Sequence, residues 1–378
     1  MRTLLLTVHF SPNLGGVETH LLDLIKGLND NKIVVTILCY QPLSTSAPWK
    51  IYDKQPNLQI FRIPWVSGLF YTFIPYQVLQ FLYLVPGLFL ATPIILLFNR
   101  PDVIHAHGLV AALNGVFWGR IFKIPVVIST HSLYNFPKQG LYPNLIRAVF
   151  NQAELVLCLS NQSRQEVIKL GVDENLVEVF TYWVDLDTFS PVPEAKKKVG
   201  WTNEFIVLFV GRLVKEKGIW VLINSAKNWS KQIKLVIAGS GPESVMIKKM
   251  AAQHANILYL GRIEQEQLPT YYSGADLVIV PSTHEEGFGR VIIEALACGT
   301  PVIGANRGSI VEAMDSSVGQ LIDVTEGNIK EVVEGLYNNR AKLKRLAQRT
   351  RPFAERRYSI RNVQKIIKGY QRAVRAIT

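Results

Sequence analysis

The chain has 378 residues, 48% of them hydrophobic, and carries 41 Lys and Arg against 29 Asp and Glu for a net charge of +12. That length exceeds one ordinary core and fits two domains, with apolar residues enough for both. The surplus charge sits in residues 340–378, which hold 13 Lys and Arg and one acid, Glu355, and no alternation of aromatic and basic residues marks a nucleic-acid platform. Such a tail reads either as a solvated helix face or as a patch drawn to anionic lipid.

The N-terminal MRTLLLTVHFSP has a short apolar part leading into a glycine turn, which fits a first strand over Thr3–Phe10 better than a signal peptide. SPNLGGVETHLLDLIKGL follows, and Gly15 and Gly16 open a helix there, as a turn that lets a phosphate or sugar approach or as a simple tight turn. His20 and Glu18 in its first turn read as capping. After a strand over Val34–Tyr40, residues 63–99 contain no charge. Pro75, Pro86 and Pro93 cut this stretch so that its longest proline-free pieces have ten residues, against roughly 20 for a spanning helix. The segment is expected to be a monotopic insertion or lipid-binding groove, with ordinary core and a true span as the alternatives. Strands follow at Val103–His105, Val126–Thr130 and Leu155–Leu159. His105 and His107 are read as pointing to opposite faces of their strand, and with no third and fourth ligand at suitable spacing no metal is expected. His131, at a strand end, is the better functional candidate, with a hydrogen-bonded structural role as its rival.

Prolines and a lysine run in VDLDTFSPVPEAKKKVG mark a linker, taken as 186–200 between domains 1–185 and 201–357, with 358–378 as a closing basic helix. Asp185 and Asp187, an Asp-any-Asp within it, read as structural. Strands recur at Ile206–Val210, Lys234–Ala238, Ile257–Leu260, Leu277–Pro281, Val302–Ala305 and Gln320–Ile322. This alternation predicts two Rossmann-like, doubly wound parallel sheets facing a central cleft, with ligands beyond the carboxyl ends of the strands. Cys39, Cys158 and Cys298 lie far apart in apolar runs and read as reduced core residues, which implies a cytoplasmic setting.

Two loops of the second half carry the chemistry. GRLVKEKG places Arg212 and Lys217 after a strand, a planar fork and a mobile point charge suited to a diphosphate, or else plain surface charge. STHEEGFGRVIIEALACGTPVI sets Glu286 and Glu294 around a glycine-framed turn into a helix whose free N–H groups suit a diphosphate. If helical rise held throughout, the carboxylates would lie up to about 12 Å apart. Helix-dipole chemistry or a solvated position is the competing reading of each glutamate. GSGPE at 239–243 lacks the third glycine of a dinucleotide fingerprint.

From SPNLGG through GRLVKEKG to EGFGRVIIEALACGTPVI, the chain resembles the retaining glycosyltransferases of family 4, the glycosyl transferases group 1, of GT-B fold. The resemblance implies that Glu286 binds donor-sugar hydroxyls and Glu294 the ribose, while Glu285 fails the spacing. It places Arg212 and Lys217 on the diphosphate and makes the amides around Gly287, Phe288, Gly289, Arg290 and Val291 a cradle for sugar and phosphate. It puts His131 beside the donor sugar and Gly15 and Gly16 in a loop over the phosphates. One departure stands out: Thr181, Tyr182, Trp183, Val184 and Asp185 replace the family's usual Pro-Asn-Gly-Val-Asp, bulky aromatics in a flexible turn.

The expected activity is metal-independent, cofactor-free transfer of a hexosyl group from a nucleotide diphosphate sugar to a hydroxyl acceptor, with retention. The acceptor is expected to be a lipid-linked or cell-envelope glycan, reached by peripheral membrane contact through 64–98 and the basic tail. A non-catalytic nucleotide-sugar or glycan-binding protein on the same fold is the alternative. A phosphorylase would need a pyridoxal phosphate lysine, for which no signal stands out.

Overall fold

Aliphatic runs buried on both sides become parallel strands, because only helices on both faces of a sheet can cover such runs. β1 (Arg2–Thr7), β2 (Val34–Tyr40), β5 (Val103–His107), β6 (Val126–Thr130) and β7 (Leu155–Cys158) are such strands in the first half, joined by the more exposed β3 (Tyr52–Gln55), β4 (Leu58–Ile63) and β8 (Val177–Val179). The computed structural model describes residues 1–376 other than 14, 44, 46, 67–72, 74, 75, 138, 202 and 203. Part of the charge-free segment and the last two residues of the tail therefore lie outside the described residues. The chain forms two units, 1–182 with 360 onward, and 183–359.

The sheet of the first unit has the order β3-β4-β2-β1-β5-β6-β7-β8, parallel except for the β3–β4 pair. Alternate residues Leu4, Leu6, Leu38, Tyr40, Ile104 and Ala106 join one core with α2 (Gln77–Asn99) and α3 (Leu109–Phe122), after α1 (Gly16–Asp30) on the opposite face. Helices α4 (Leu141–Phe150) and α5 (Asn161–Lys169) follow. β1 stops at Thr7, short of the expected Phe10, where the Thr7 hydroxyl bonds the His9 carbonyl at 3.0 Å and the chain turns. The hairpin β3–β4 was not anticipated, although Leu58–Ile63 alternates buried and half-buried positions as a half-covered strand should.

Helix α2 corrects the expectation that proline divides the charge-free segment, since Pro86 and Pro93 both lie inside one helix of 23 residues. Side chains from outside the helix bond its backbone near both prolines. Pro93 cannot donate to the Phe89 carbonyl, which instead accepts the Trp118 indole N–H at 2.9 Å. The Tyr40 hydroxyl inserts into the ladder, donating to the Leu84 carbonyl and accepting from the Leu88 amide at 3.0 Å. Gly87 makes room, because a Cβ there would lie 2.5 Å from that hydroxyl.

The second unit runs through α6 (Ala195–Lys198), β9 (Phe205–Val210), α7 (Ile219–Ala226), β10 (Ile233–Ala238), α8 (Ser244–Gln253), β11 (Ile257–Gly261) and α9 (Leu268–Gly274). It continues with β12 (Leu277–Val280), α10 (Arg290–Ala297), β13 (Val302–Ala305), α11 (Ile310–Ala313), β14 (Gly319–Ile322), α12 (Glu326–Asn338) and α13 (Arg340–Arg357). Its sheet is wholly parallel, in the order β11-β10-β9-β12-β13-β14. Segment 186–200, expected as a linker, packs into this unit. Phe189 and Ala195 are buried, Lys196 pairs with Asp276 at 2.5 Å, and Asp185 caps a turn by accepting the Asp187 amide at 3.0 Å.

The basic tail divides between the units: α13 belongs to the second, and α14 (Val363–Arg375) packs on the first. Several of its cations have structural partners. Arg340 lies over the Phe205 ring at 4.4 Å, and Arg351 donates to the carbonyls of Phe189 and Ala297 at 2.7 and 3.0 Å. Lys365 and Arg372 reach Glu178 at 3.8 and 2.6 Å.

Candidate functional site

In an open parallel sheet the loops diverge where the strand order reverses, and the crevice lies at the carboxyl ends of those strands. In the second unit that point is between β9 and β12. β9 leads into Gly211–Gly218, and β12 into Pro281–Gly289, the two loops singled out from the sequence. They are stitched together by backbone. The Glu216 carbonyl accepts the Thr283 amide at 2.9 Å, its hydroxyl at 3.1 Å and His284 Nδ1 at 2.9 Å. Gly218 permits the contact, since its φ is +70° and a Cβ would fall 1.8 Å from the Pro281 carbonyl oxygen.

This stitching brings Lys217 Nζ to 2.7 Å from Glu286 Oε1. The carboxylate is buried, with a side-chain exposure of 8% against 29% for the lysine, and it also accepts the Ser282 hydroxyl. Burial would raise the pKa of Glu286. The Lys217 ammonium, the hydrogen bonds from Lys217 and Ser282 and the nearby His284 outweigh it and hold the carboxyl below its ordinary range. Arg212 lies on the same loop, exposed, and among the described residues its side chain makes no hydrogen bond or ion pair.

A third loop, not assigned a role from the sequence, supports Arg212. Gly239-Ser240-Gly241 lies against residues 211–213: Leu213 donates to the Ser240 carbonyl at 2.9 Å, and Glu243 to that of Leu213 at 3.1 Å. A Cβ on Gly239 or Gly241 would fall 1.9 or 2.4 Å from the carbonyl oxygen of Gly211 or Leu213. The glycines of GSGPE therefore serve close loop packing.

Beyond Glu286, Gly289 takes the left-handed conformation (φ +75°) as the N-cap of α10, and no side chain caps that helix start. The helix begins only at Arg290, so residues 286–289 are loop. Phe288 is buried edge-on against Tyr358, with ring centroids 5.9 Å apart. Glu294 is buried within α10, where Oε1 accepts Arg290 Nε at 3.1 Å and Oε2 accepts the Tyr272 hydroxyl at 2.9 Å. Burial first, then the adjacent Glu294 carboxylate, push the Tyr272 phenol far above its usual range, so it stays a donor. Tyr272 lies 22 residues away on α9 and left no sequence signal. Arg290 also reaches the Trp183 carbonyl at 3.4 Å, so its side chain turns into the unit.

The first unit holds the remaining candidates. Gly15 caps α1, where its carbonyl accepts the Thr19 amide at 3.1 Å, and a Cβ on Gly16 would meet nothing within 4 Å. Neither glycine has the positive φ that would demand it; Gly15 sits at φ 175°. His131 Nε2 contacts His107 Nδ1 at 2.9 Å and His131 Nδ1 contacts the Tyr182 hydroxyl at 2.7 Å, so protein groups engage both ring nitrogens. The Tyr182 ring stacks on His20 of α1, with centroids 4.1 Å apart. Burial lowers the His131 pKa to about 3, so the ring is neutral near pH 7.

The reading of His105 and His107 needs correction. Residues two apart on a strand share a face, and these rings lie 4.0 Å apart, centroid to centroid, on the side facing α14. His105 bonds the Tyr370 and Ser129 hydroxyls at 2.6 and 2.7 Å. Of the departure at 181–185, Tyr182 closes the first unit and Trp183, fully buried, opens the second.

Comparison with known proteins follows this division. The family model described as Glycosyltransferase Family 4 matches residues 14–188, and that described as Glycosyl transferases group 1 matches 191–353. A D-inositol 3-phosphate glycosyltransferase of Xylanimonas cellulosilytica is 26% identical, covering 85% of this chain and 84% of its own. The phosphatidylinositol N-acetylglucosaminyltransferase gpi3 subunit of Schizosaccharomyces pombe is 23% identical over 87% of this chain and 71% of its own. Among solved structures, Anabaena HepE in complex with UDP matches with a TM-score of 0.78 at 21% identity over 98% of this chain and 100% of its own. The sucrose-phosphate synthase of Thermosynechococcus elongatus gives 0.83 at 20% identity over all of both chains.

Proposed function

The chain belongs to the family 4, group 1 glycosyltransferases and transfers a sugar to an acceptor, and from that premise we propose a nucleoside diphosphate sugar as donor, a hydroxyl as acceptor and retention at the anomeric carbon. The observation that carries the proposal is the Lys217–Glu286 pair, 2.7 Å apart with its carboxylate buried, on the loops at the strand-order reversal, with Arg212 exposed on the same loop as Lys217. An ionised Glu286 accepts hydrogen bonds from sugar hydroxyls, while Lys217, Arg212 and the uncapped start of α10 stabilise charge growing on the departing diphosphate. Two fixed cations supply the neutralisation that a divalent metal gives elsewhere, so we propose metal-independent turnover. The leaving phosphate takes the acceptor proton on the same face. Glu294 orients the ribose, and Gly15, Gly16 and His131 of the first unit serve the same reaction, His131 as a neutral group.

For the acceptor we propose a lipid-linked or cell-envelope glycan, approached by peripheral contact of 64–98 and the basic tail with the inner leaflet. Thermal shift with UDP, GDP and ADP sugars selects the donor, and that donor is then used in a transfer assay with and without EDTA. Glu286→Ala should nearly abolish transfer while the protein stays folded, and EDTA should leave the wild-type rate unchanged. An unchanged rate in the variant would overturn the assignment, and measurable donor hydrolysis by the wild type separates an enzyme from a silent binding protein.

A further inference from the structure

On a helix packed against a sheet the outward positions are normally polar. Those of α2 are not. Leu79, Leu82, Leu90, Ile94 and Leu97 are 46–69% exposed and, with exposed Pro86, recur at spacings of three and four that keep them on one stripe, with Phe98, 83% exposed, at its edge. From Leu79 to Leu97 the stripe runs about 27 Å at the helical rise. Helix α3 lies alongside, its Phe117 ring 4.9 Å from Phe89, and adds exposed Phe117 and Ile121. Both helices end in a left-handed cap that is itself a cation, Arg100 and Lys123, with exposed Arg120 beside them. Among the described residues neither Arg100 nor Lys123 has an acidic partner. A recess of about 330 Å³ between these two helix ends is bounded by Leu96, Leu97, Arg100, Pro101, Phe122 and Ile124.

We infer that the α2–α3 face rests on an anionic phospholipid leaflet, with α2 lying in the plane of the interface. The stripe enters the acyl boundary and Arg100, Arg120 and Lys123 meet lipid phosphates at one end. Charge decides for lipid over a protein partner: among the described residues the exposed side chains of α2 and α3 are apolar except Arg120, and the ionic groups gather at the helix ends with Arg100 and Lys123, where Gln152 and Glu154 line a recess beside Arg120 and Lys123. The other face of α2 decides against a span. Phe81, Leu84, Leu88, Ile95 and Leu96 are buried in the core, and the Tyr40 hydroxyl and Trp118 indole are bonded to the helix backbone. A helix so attached to β2 and α3 cannot leave them to cross a bilayer.

This deepens the membrane contact proposed above and is independent of the transfer chemistry. The full chain is co-sedimented with phosphatidylcholine vesicles with and without 30% phosphatidylglycerol (about a third anionic lipid, to develop a surface potential), across a salt series. Wild type should prefer the anionic vesicles and lose that preference with salt. Leu82→Glu/Leu90→Glu/Ile94→Glu should lower the partition coefficient at least about tenfold, and Arg100→Glu/Lys123→Glu should remove the anionic preference. Turnover of a soluble donor should stay at the wild-type rate. Cys39, Cys158 and Cys298 are buried, so a probe on Leu90→Cys reports from one place without adding charge; its emission should shift blue on vesicles, and that of a probe on Leu258→Cys of β11 should not. Wild-type binding retained by the triple variant, no vesicle binding at all, an unshifted probe at position 90, or a wild-type dimer that the triple variant dissolves would each overturn the inference. Lost turnover with vesicle binding intact would count against the reaction alone.

Discussion

Replacing Lys217 by Met keeps the length of the side chain and removes its charge, which isolates what the ammonium does for Glu286. At 2.7 Å and an effective dielectric near 20 the gross attraction is about 6 kcal/mol. Water reaching the partly exposed lysine screens some of it, and breaking a buried pair on one side generally costs about 3–5 kcal/mol. A loss of roughly 2–3 kcal/mol is therefore expected at pH 7.5, or about 2–4 °C in Tm per kcal/mol for a unit of this size. With the lysine gone, burial dominates and lifts the Glu286 pKa above its unfolded value. The deficit relative to wild type should then shrink as pH falls and the carboxyl takes up a proton. Lys217→Met/Glu286→Gln should recover most of the stability, since no buried charge is left alone, yet both variants should stay about 10²–10³-fold slow in transfer. Urea unfolding of the four members of the cycle at pH 7.5 and 5 measures this. A single-variant loss under about 0.5 kcal/mol, or a loss that is the same at both pH values and is not rescued by Gln, refutes the pairing as the site's electrostatic centre.

Two further predictions follow from the first unit. Gly16 has open space around its Cβ direction, so Gly16→Ala should leave Tm unchanged or slightly raised, while kcat/KM for the donor falls about tenfold if the loop closes on a ligand; equal kcat/KM would reduce the glycine to a simple turn. Burial lowers the pKa of His9 to about 4 and of His131 to about 3, and holds His105 and His107 well below the usual value, with neighbouring histidines adding to the effect on that pair. Below pH 6.5 the unfolded chain therefore binds more protons than the folded one, and stability should fall with pH by up to about 1.4 kcal/mol per unit per histidine. All four lie in the first unit, which should be the part to unfold on acidification; a flat unfolding free energy between pH 7.5 and 5.5 would contradict the burial.

What could be read from the sequence depended on whether the signal was local. The six strands of the second unit are short, mostly apolar runs between polar loops, and each formed within two residues of its expected bounds. The glutamate loop and GRLVKEKG were legible because glycine, acid and base stand together in sequence. β3 was not, since YDKQ is a polar edge strand defined only by its partner β4. Nor was the unity of α2, where Trp118, 29 residues after Phe89, bonds the carbonyl that Pro93 leaves open and Tyr40, 48 residues before Leu88, bridges Leu84 and Leu88. Ser282 and Tyr272 escaped for the same reason: a hydroxyl aimed at a buried carboxylate shows no periodicity.

The departure at 181–185 gains a physical meaning from its partners. A phenol at position 182 reaches His131 Nδ1 while its ring lies on His20, and the other imidazole nitrogen is held by His107. With both nitrogens engaged and a pKa near 3, His131 is a poor proton carrier near neutral pH, whatever its neighbourhood to a sugar. On the proposed mechanism proton transfer then falls to a group that is not locked, and Glu286, held below the ordinary carboxyl range by Lys217, is not such a group. In the proposed reaction the departing phosphate is the base for the incoming hydroxyl, and turnover in it depends on how well Arg212 and Lys217 hold the leaving group in place.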